Sequence, residues 1–165
     1  MFAFVAKASP IPDLTAEQPY AEAAARIVSV RGAELAEQAE GVLDTGDIER
    51  VHDMRVATRR LRAALEIFQP CFPAKPYDQA LGEVKRLADA LGERRDRDVA
   101  IAALHDFNDQ MAAPDRRGVA SLIEQLRTEQ ERANEELAPL VAEESLSAMR
   151  ESMKELIAGA REPAA

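Results

Sequence analysis

Val51-His-Asp-Met-Arg-Val-Ala-Thr-Arg-Arg-Leu-Arg-Ala-Ala-Leu-Glu-Ile-Phe68 carries two patterns at once. On a helix advancing roughly 100° per residue, with His52 at zero, Met54, Leu61, Leu65 and Phe68 gather around ~200°. That is an apolar stripe able to anchor a helix to a core. Arg55 falls at ~300°, Arg59 at ~340° and Arg62 at ~280°, so with His52 they form a cationic strip roughly 120° from the stripe. Arg60, at ~80°, belongs to neither.

Working outward, Asp47 offers an N-cap, and Glu49 in the first turn suits the positive end of the helix dipole, so this helix is expected to run from Asp47 to about Gln69. Pro70, Pro73 and Pro76 stop it. Upstream, Thr15-Ala-Glu-Gln18 fits a capping box, predicting a helix from about Ala16 to Val42 that ends in the turn holding Gly41 and Gly46. Downstream, Leu81, Val84, Leu87, Ala88 and Leu91 share one face of a third helix, expected from about Pro76 to Leu91 and ended by Gly92. Asp96 or Asp98 can cap a fourth, carrying Val99, Ile101, Leu104 and Phe107 and stopping before Pro114. Two more follow, Asp115 to Leu137, broken near Pro139, and Glu144 to Ala158, whose stripe of Leu146, Met149, Met153, Leu156 and Ile157 is expected to pack internally.

The fold class is therefore all-α, a bundle of five or six helices in a single domain over 14–160, with a flexible segment at 1–13 and a frayed end at 161–165. The composition agrees: 165 residues suit one core, and a chain without tryptophan and with two tyrosines is poorly supplied for sheets. One cysteine, Cys71, cannot close an internal disulfide and reads as a small packing residue; with two histidines it leaves too little for a Cys/His metal cage, so no metal and no cofactor is expected. No stretch approaches the ~18 apolar residues of a membrane span. A soluble, cytoplasmic protein without membrane contact is the expectation.

Net charge is -9, which argues against general binding to nucleic acid or anionic membrane. The charge is divided, however. Arg50 to Arg97 holds eleven Lys/Arg against seven Asp/Glu, net +4, whereas Ala120 to Ala165 holds five against ten, net -5. Like charges three or four positions apart destabilise a helix by a few tenths of a kcal/mol per pair, so the strip calls for an anionic partner. Within its own helix it finds only Glu66 at the far end, with Asp53 ~100° round. Arginine forks match phosphate oxygens bidentately and stay charged at physiological pH, so an external polyanion is one answer and a plain solvated face the other.

The quoted stretch resembles the signature of the CHAD family, the conserved histidine α-helical domain, written H-x-x-R-V-x-x-R-R-L-R-x-x-L-x-x-F. Leu87-Ala-Asp-Ala-Leu-Gly92 followed by Arg95-Asp96 and Asp98-Val99 resembles a second landmark of that family. The resemblance covers about Leu14 to Leu104 well and the acidic remainder loosely. It implies an all-helical fold whose basic side chains bind inorganic polyphosphate, by a module that is not itself an enzyme, has no cofactor and is associated with polyphosphate granules. Carried over by position, the polyphosphate-binding candidates are His52, Arg55, Arg59, Arg60 and Arg62, with Lys85 and Arg95 from the second landmark. Helical geometry ranks Lys85, beside the apolar face, above Arg86, which should meet water; Arg94, Arg95 and Arg97 are placed in a loop opening the fourth helix, with Arg94 and Arg97 solvated.

The full family domain has two related halves, each with its own histidine-and-arginine helix, and Ser147 to Ile157, with no histidine, is no second signature. The chain resembles the first half. A homodimer would rebuild the two-half pore. The alternative is a helical structural or adaptor module acting through homo- or hetero-association, its phosphate binding weakened or lost. Catalysis is a third reading, since His52-Asp53 and His105-Asp106 are similar to the His-Asp pair of metal-dependent phosphohydrolases, but two histidines cannot complete such a ligand set. Nucleic acid is the weakest, because the strip has no aromatic side chain for base stacking.

Overall fold

The computed structural model describes residues 7–112 and 116–163. Among them are five helices: α1 (Tyr20–Glu37), α2 (Ile48–Ile67), α3 (Ala74–Gln110), α4 (Arg116–Val141) and α5 (Glu143–Ala158), with a short 3-10 turn at Gln69–Cys71. No described residue lies in a strand. The expected all-α bundle is what forms.

Helix α2 follows its predicted limits closely, and its apolar stripe is buried as read: Met54, Leu61 and Leu65 are wholly enclosed. They meet Val28 and Leu35 of α1, Val84, Leu87 and Leu91 of α3, Leu137 of α4, and Leu146, Met153 and Leu156 of α5 in one core. The α5 stripe thus packs internally, with Met149 and Ile157 partly buried against the same cluster. Cys71 is buried beside it, and burial pushes its thiol pKa up, with the Glu162 charge adding to the shift.

Helix α1 is shorter than expected. The Thr15-to-Gln18 capping box is replaced by a turn in which the Gln18 amide donates to the Thr15 carbonyl at 3.4 Å, and the helix begins after Pro19. Proline has no capping side chain; the Ala21 amide instead donates to the Glu162 carboxylate at 3.0 Å, from 141 residues away. The segment before α1 is held across its side: Arg26 donates to the carbonyls of Pro12 and Asp13, and Arg31 to that of Ser9.

The larger correction concerns Gly92. It ends nothing: α3 runs unbroken through it for 37 residues, so the expected third and fourth helices are one. A single interior glycine costs roughly 1 kcal/mol relative to alanine. Against that, the buried period continues across the position through Leu87, Leu91, Arg94 and Asp98, and the i,i+4 pairs Glu93–Arg97 and Arg94–Asp98 brace the turn that follows it. Arg94, Arg95 and Arg97 therefore stand on a helix, not in a loop. The stop expected before Pro114 involves a residue outside those described, although α3 itself ends at Gln110.

Pro139 sits inside α4, which continues to Val141, so the break falls a few residues later than expected, at Ala142 with its extended backbone. Helices α2 and α3 run antiparallel through the tight Gln69–Pro73 turn, and α3 packs against both α2 and α4. At ~1.5 Å per residue α3 spans roughly 55 Å and α2 roughly 30 Å. About half of α3 consequently extends past the start of α2.

Candidate functional site

The cationic strip of α2 faces a groove shared with α3. Arg55, Arg59 and Arg62 form one wall, and Ala88, Asp89, Gly92, Glu93 and Asp96 the other. Gly92 contributes no side chain, which leaves the groove open at its middle; a Cβ there would meet nothing within 4 Å.

Among the described residues, Arg55 and Arg59 have no ion pair or side-chain hydrogen bond. Arg55 is half-buried and Arg59 exposed. Arg62 donates to Glu66 at 2.9 Å. That hydrogen bond, with the Glu66 charge and more weakly that of Asp89, raises the Arg62 pKa against the small opposing effect of burial. Lys85 is exposed, and the helical register sets it within ~20° of Gly92, on the groove-facing row of α3. His52 lies one turn before Arg55 on the same side of α2 and is half-buried.

Two candidates are turned to other tasks. Arg60 donates to Glu34 of α1 at 2.8 Å, and Glu34, only 5% exposed, also accepts from Arg31 at 2.6 Å. Arg60 thus braces α2 on α1, on the flank its ~80° position indicates. Arg95 donates to the Ile48 carbonyl at 2.8 Å and approaches Glu49 at 3.5 Å, tying α3 to the first turn of α2. The structure accordingly groups Arg55, Arg59 and Arg62 on the groove, with Lys85 on the same row of α3 and His52 one turn before Arg55 by helical register, and turns Arg60 and Arg95 to contacts with α1 and the start of α2.

Asp89, Glu93 and Asp96 stand opposite the strip, a neighbourhood that the sequence reading does not supply. Reading a break at Gly92 separates Lys85 and Asp89 from Asp96, whereas one continuous helix lines them up at intervals of four, three and four with Gly92 between. Glu93 is already engaged by Arg97, which also approaches Glu129 of α4 at 3.7 Å. Asp89 and Asp96 remain exposed and lower the positive potential of the groove without occupying Arg55 or Arg59.

Arg94 departs furthest from expectation. It is wholly buried, with one guanidinium nitrogen 3.3 Å from Asp98, itself buried and accepting from Gln130 of α4 at 2.6 Å. Burial lowers the Arg94 pKa, opposed by the charges of Asp98 and Asp44. It raises that of Asp98 against the Gln130 hydrogen bond and the charges of Arg94 and Arg95. Arg86 faces a different crevice, beside Leu140 and Met149, in line with its predicted distance from the groove. His105 is exposed, its ring nitrogen 3.4 Å from Arg127. No group of three or more His, Cys, Asp or Glu side chains among the described residues could hold a metal ion, and no described helix is long and apolar enough to cross a membrane.

The CHAD domain family model matches residues 26–165, which includes every element forming the groove. The chain belongs to the CHAD family. A crystal structure of the CHAD domain from the plant Ricinus communis shares the fold, with a TM-score of 0.69 and 24% sequence identity over 98% of this chain. The match occupies 53% of the plant chain, so this CHAD chain spans about half the length of that structure. No curated protein matches it in sequence.

Proposed function

We propose that this CHAD chain binds inorganic polyphosphate, without catalysing its cleavage, in the groove between α2 and α3. The observation that supports this most directly is the state of Arg55 and Arg59: two guanidiniums a turn apart, on one wall, neither in an ion pair or side-chain hydrogen bond among the described residues. The fold leaves these two available while it engages Arg60 and Arg95 with Glu34 and Ile48. A guanidinium fork meets two phosphoryl oxygens, and successive forks along a helix suit an anion that repeats. Lys85 extends the same row as a point charge. Recognition by phosphate contacts alone is indifferent to sequence and sensitive to salt.

His52, half-buried one turn before Arg55 on the same side of α2, adds an imidazole N–H as a further donor. Titration calorimetry with long-chain polyphosphate at low salt tests the proposal, with heat of binding expected for the parent and a large loss for Arg55→Ala/Arg59→Ala. Absence of heat for the parent overturns it, and release of orthophosphate from the polymer overturns the non-enzymatic part. A soluble module in the cytoplasm, resident on polyphosphate granules, is the setting that accords with this activity.

A further inference from the structure

The groove-facing row of α3 does not stop where α2 does. Continuing from Asp89, Gly92 and Asp96 along the same face come Val99, Ala103 and Phe107. Val99 is 49% exposed and Phe107 53%. The Arg97–Glu129 and Asp98–Gln130 contacts fix the antiparallel register of α3 and α4 and bring Leu122, 44% exposed, to the level of Phe107. Single exposed apolar side chains are ordinary, but aligned ones beside a charged groove mark an interaction surface.

We propose that this face pairs with the same face of a second copy of the chain, with the two α3 helices antiparallel across a two-fold axis near Ala103. The arrangement is self-complementary: Val99 of each copy meets Phe107 of the other, and the small Ala103 lets the helices approach. It also matches charge. The start of α4 is carried toward the Arg55–Asp96 end of the opposite groove, and it presents Arg116 and Arg117, both exposed, to the exposed Asp96 and Asp89. Each copy thus offsets the acidic residues that weaken the other's groove.

The test of this surface uses no polyphosphate, so its outcome is read separately from that of the groove. Light scattering behind size exclusion should give twice the 18.1 kDa of one chain. Phe107→Glu with Leu122→Glu should reduce the mass to that of one chain while the helical circular dichroism and its melting stay unchanged, because both side chains are exposed. Ala103→Cys should form a covalent dimer on mild oxidation, whereas the parent, whose one cysteine is the buried Cys71, should not. A single-chain mass at every concentration, a dimer indifferent to the two glutamates, or an Ala103→Cys variant that does not cross-link each overturns the proposal. A failure of polyphosphate to bind leaves all three readings in place.

Discussion

Replacing Arg55 and Arg59 by alanine should change how binding responds to salt as well as how tight it is. Of the seven candidates, Arg55, Arg59 and Arg62 line the groove and the exposed Lys85 stands on the same row of α3, which gives four groove cations. Arg60 and Arg95 are engaged by Glu34 and by Ile48 and Glu49. If each neutralises one phosphate, and polyphosphate is treated as a single-stranded polyanion with a slope of about -0.7 per contact, log affinity should fall with log salt at about -2.8. A fourfold rise in salt, from about 50 to about 200 mM, then costs roughly 50-fold in affinity. Arg55→Ala/Arg59→Ala halves the slope to about -1.4 and the loss to roughly sevenfold. Calorimetry or fluorescence titration across that range reads both slopes. Arg86→Ala is the control, because Arg86 lies on another crevice and should leave the slope alone. A double variant with the parental slope, or an Arg86 variant that flattens it equally, refutes the assignment of the groove.

Four further outcomes are open to measurement. Gly92→Ala should raise stability by roughly 1 kcal/mol and Tm by roughly 2–4 °C, since Gly92 is interior to α3 and a methyl group there meets nothing within 4 Å; a fall in Tm would show that the helix does break there. Arg94→Ala should cost about 3–5 kcal/mol in denaturant titration by stranding the buried Asp98 charge, while Arg94→Met/Asp98→Leu recovers most of it. Asp98 has a folded pKa raised above its ordinary 3.8, so the native state binds the proton more tightly and this residue's contribution to stability declines as pH rises from about 3.8 through the raised value. Asp98→Asn should remove that decline, measured as Tm against pH relative to the parent. Glu34→Ala should destabilise the fold by about 2 kcal/mol by releasing Arg31 and Arg60 together, and urea unfolding monitored by circular dichroism checks it.

What could be read without coordinates follows from periodicity. The α2 stripe of Met54, Leu61 and Leu65, the opposed arginine strip, the off-strip position of Arg60 and the inward stripe of α5 are all consequences of 3.6 residues per turn, and each is found in place. Gly92 misled because glycine is permissive as well as terminating: the decision between the two rested on ion pairs and on packing against α2 and α4, which lie outside the local window. The same misreading hid the carboxylates across the groove and sent Arg94 to the solvent, when its burial depends on Asp98 one turn further along the same helix. For Thr15 and Gln18, a sound local motif was overridden by Pro19 and by an acceptor 141 residues distant. The candidate site was thus legible on α2, where one helix supplies the whole wall, and obscure on α3.

That distant acceptor turns one amide into a gauge of the whole molecule. The first turn of α1 borrows its hydrogen-bond partner from Glu162, and the neighbouring Arg161 amide is anchored on the Cys71 carbonyl in the turn between α2 and α3. Any excursion that lifts this tail off the body uncovers the Ala21 amide to solvent deuterium even while α1 keeps its coil. The exchange rate at that one position therefore reports closure of a contact that spans 141 residues, a quantity that bulk helicity does not register.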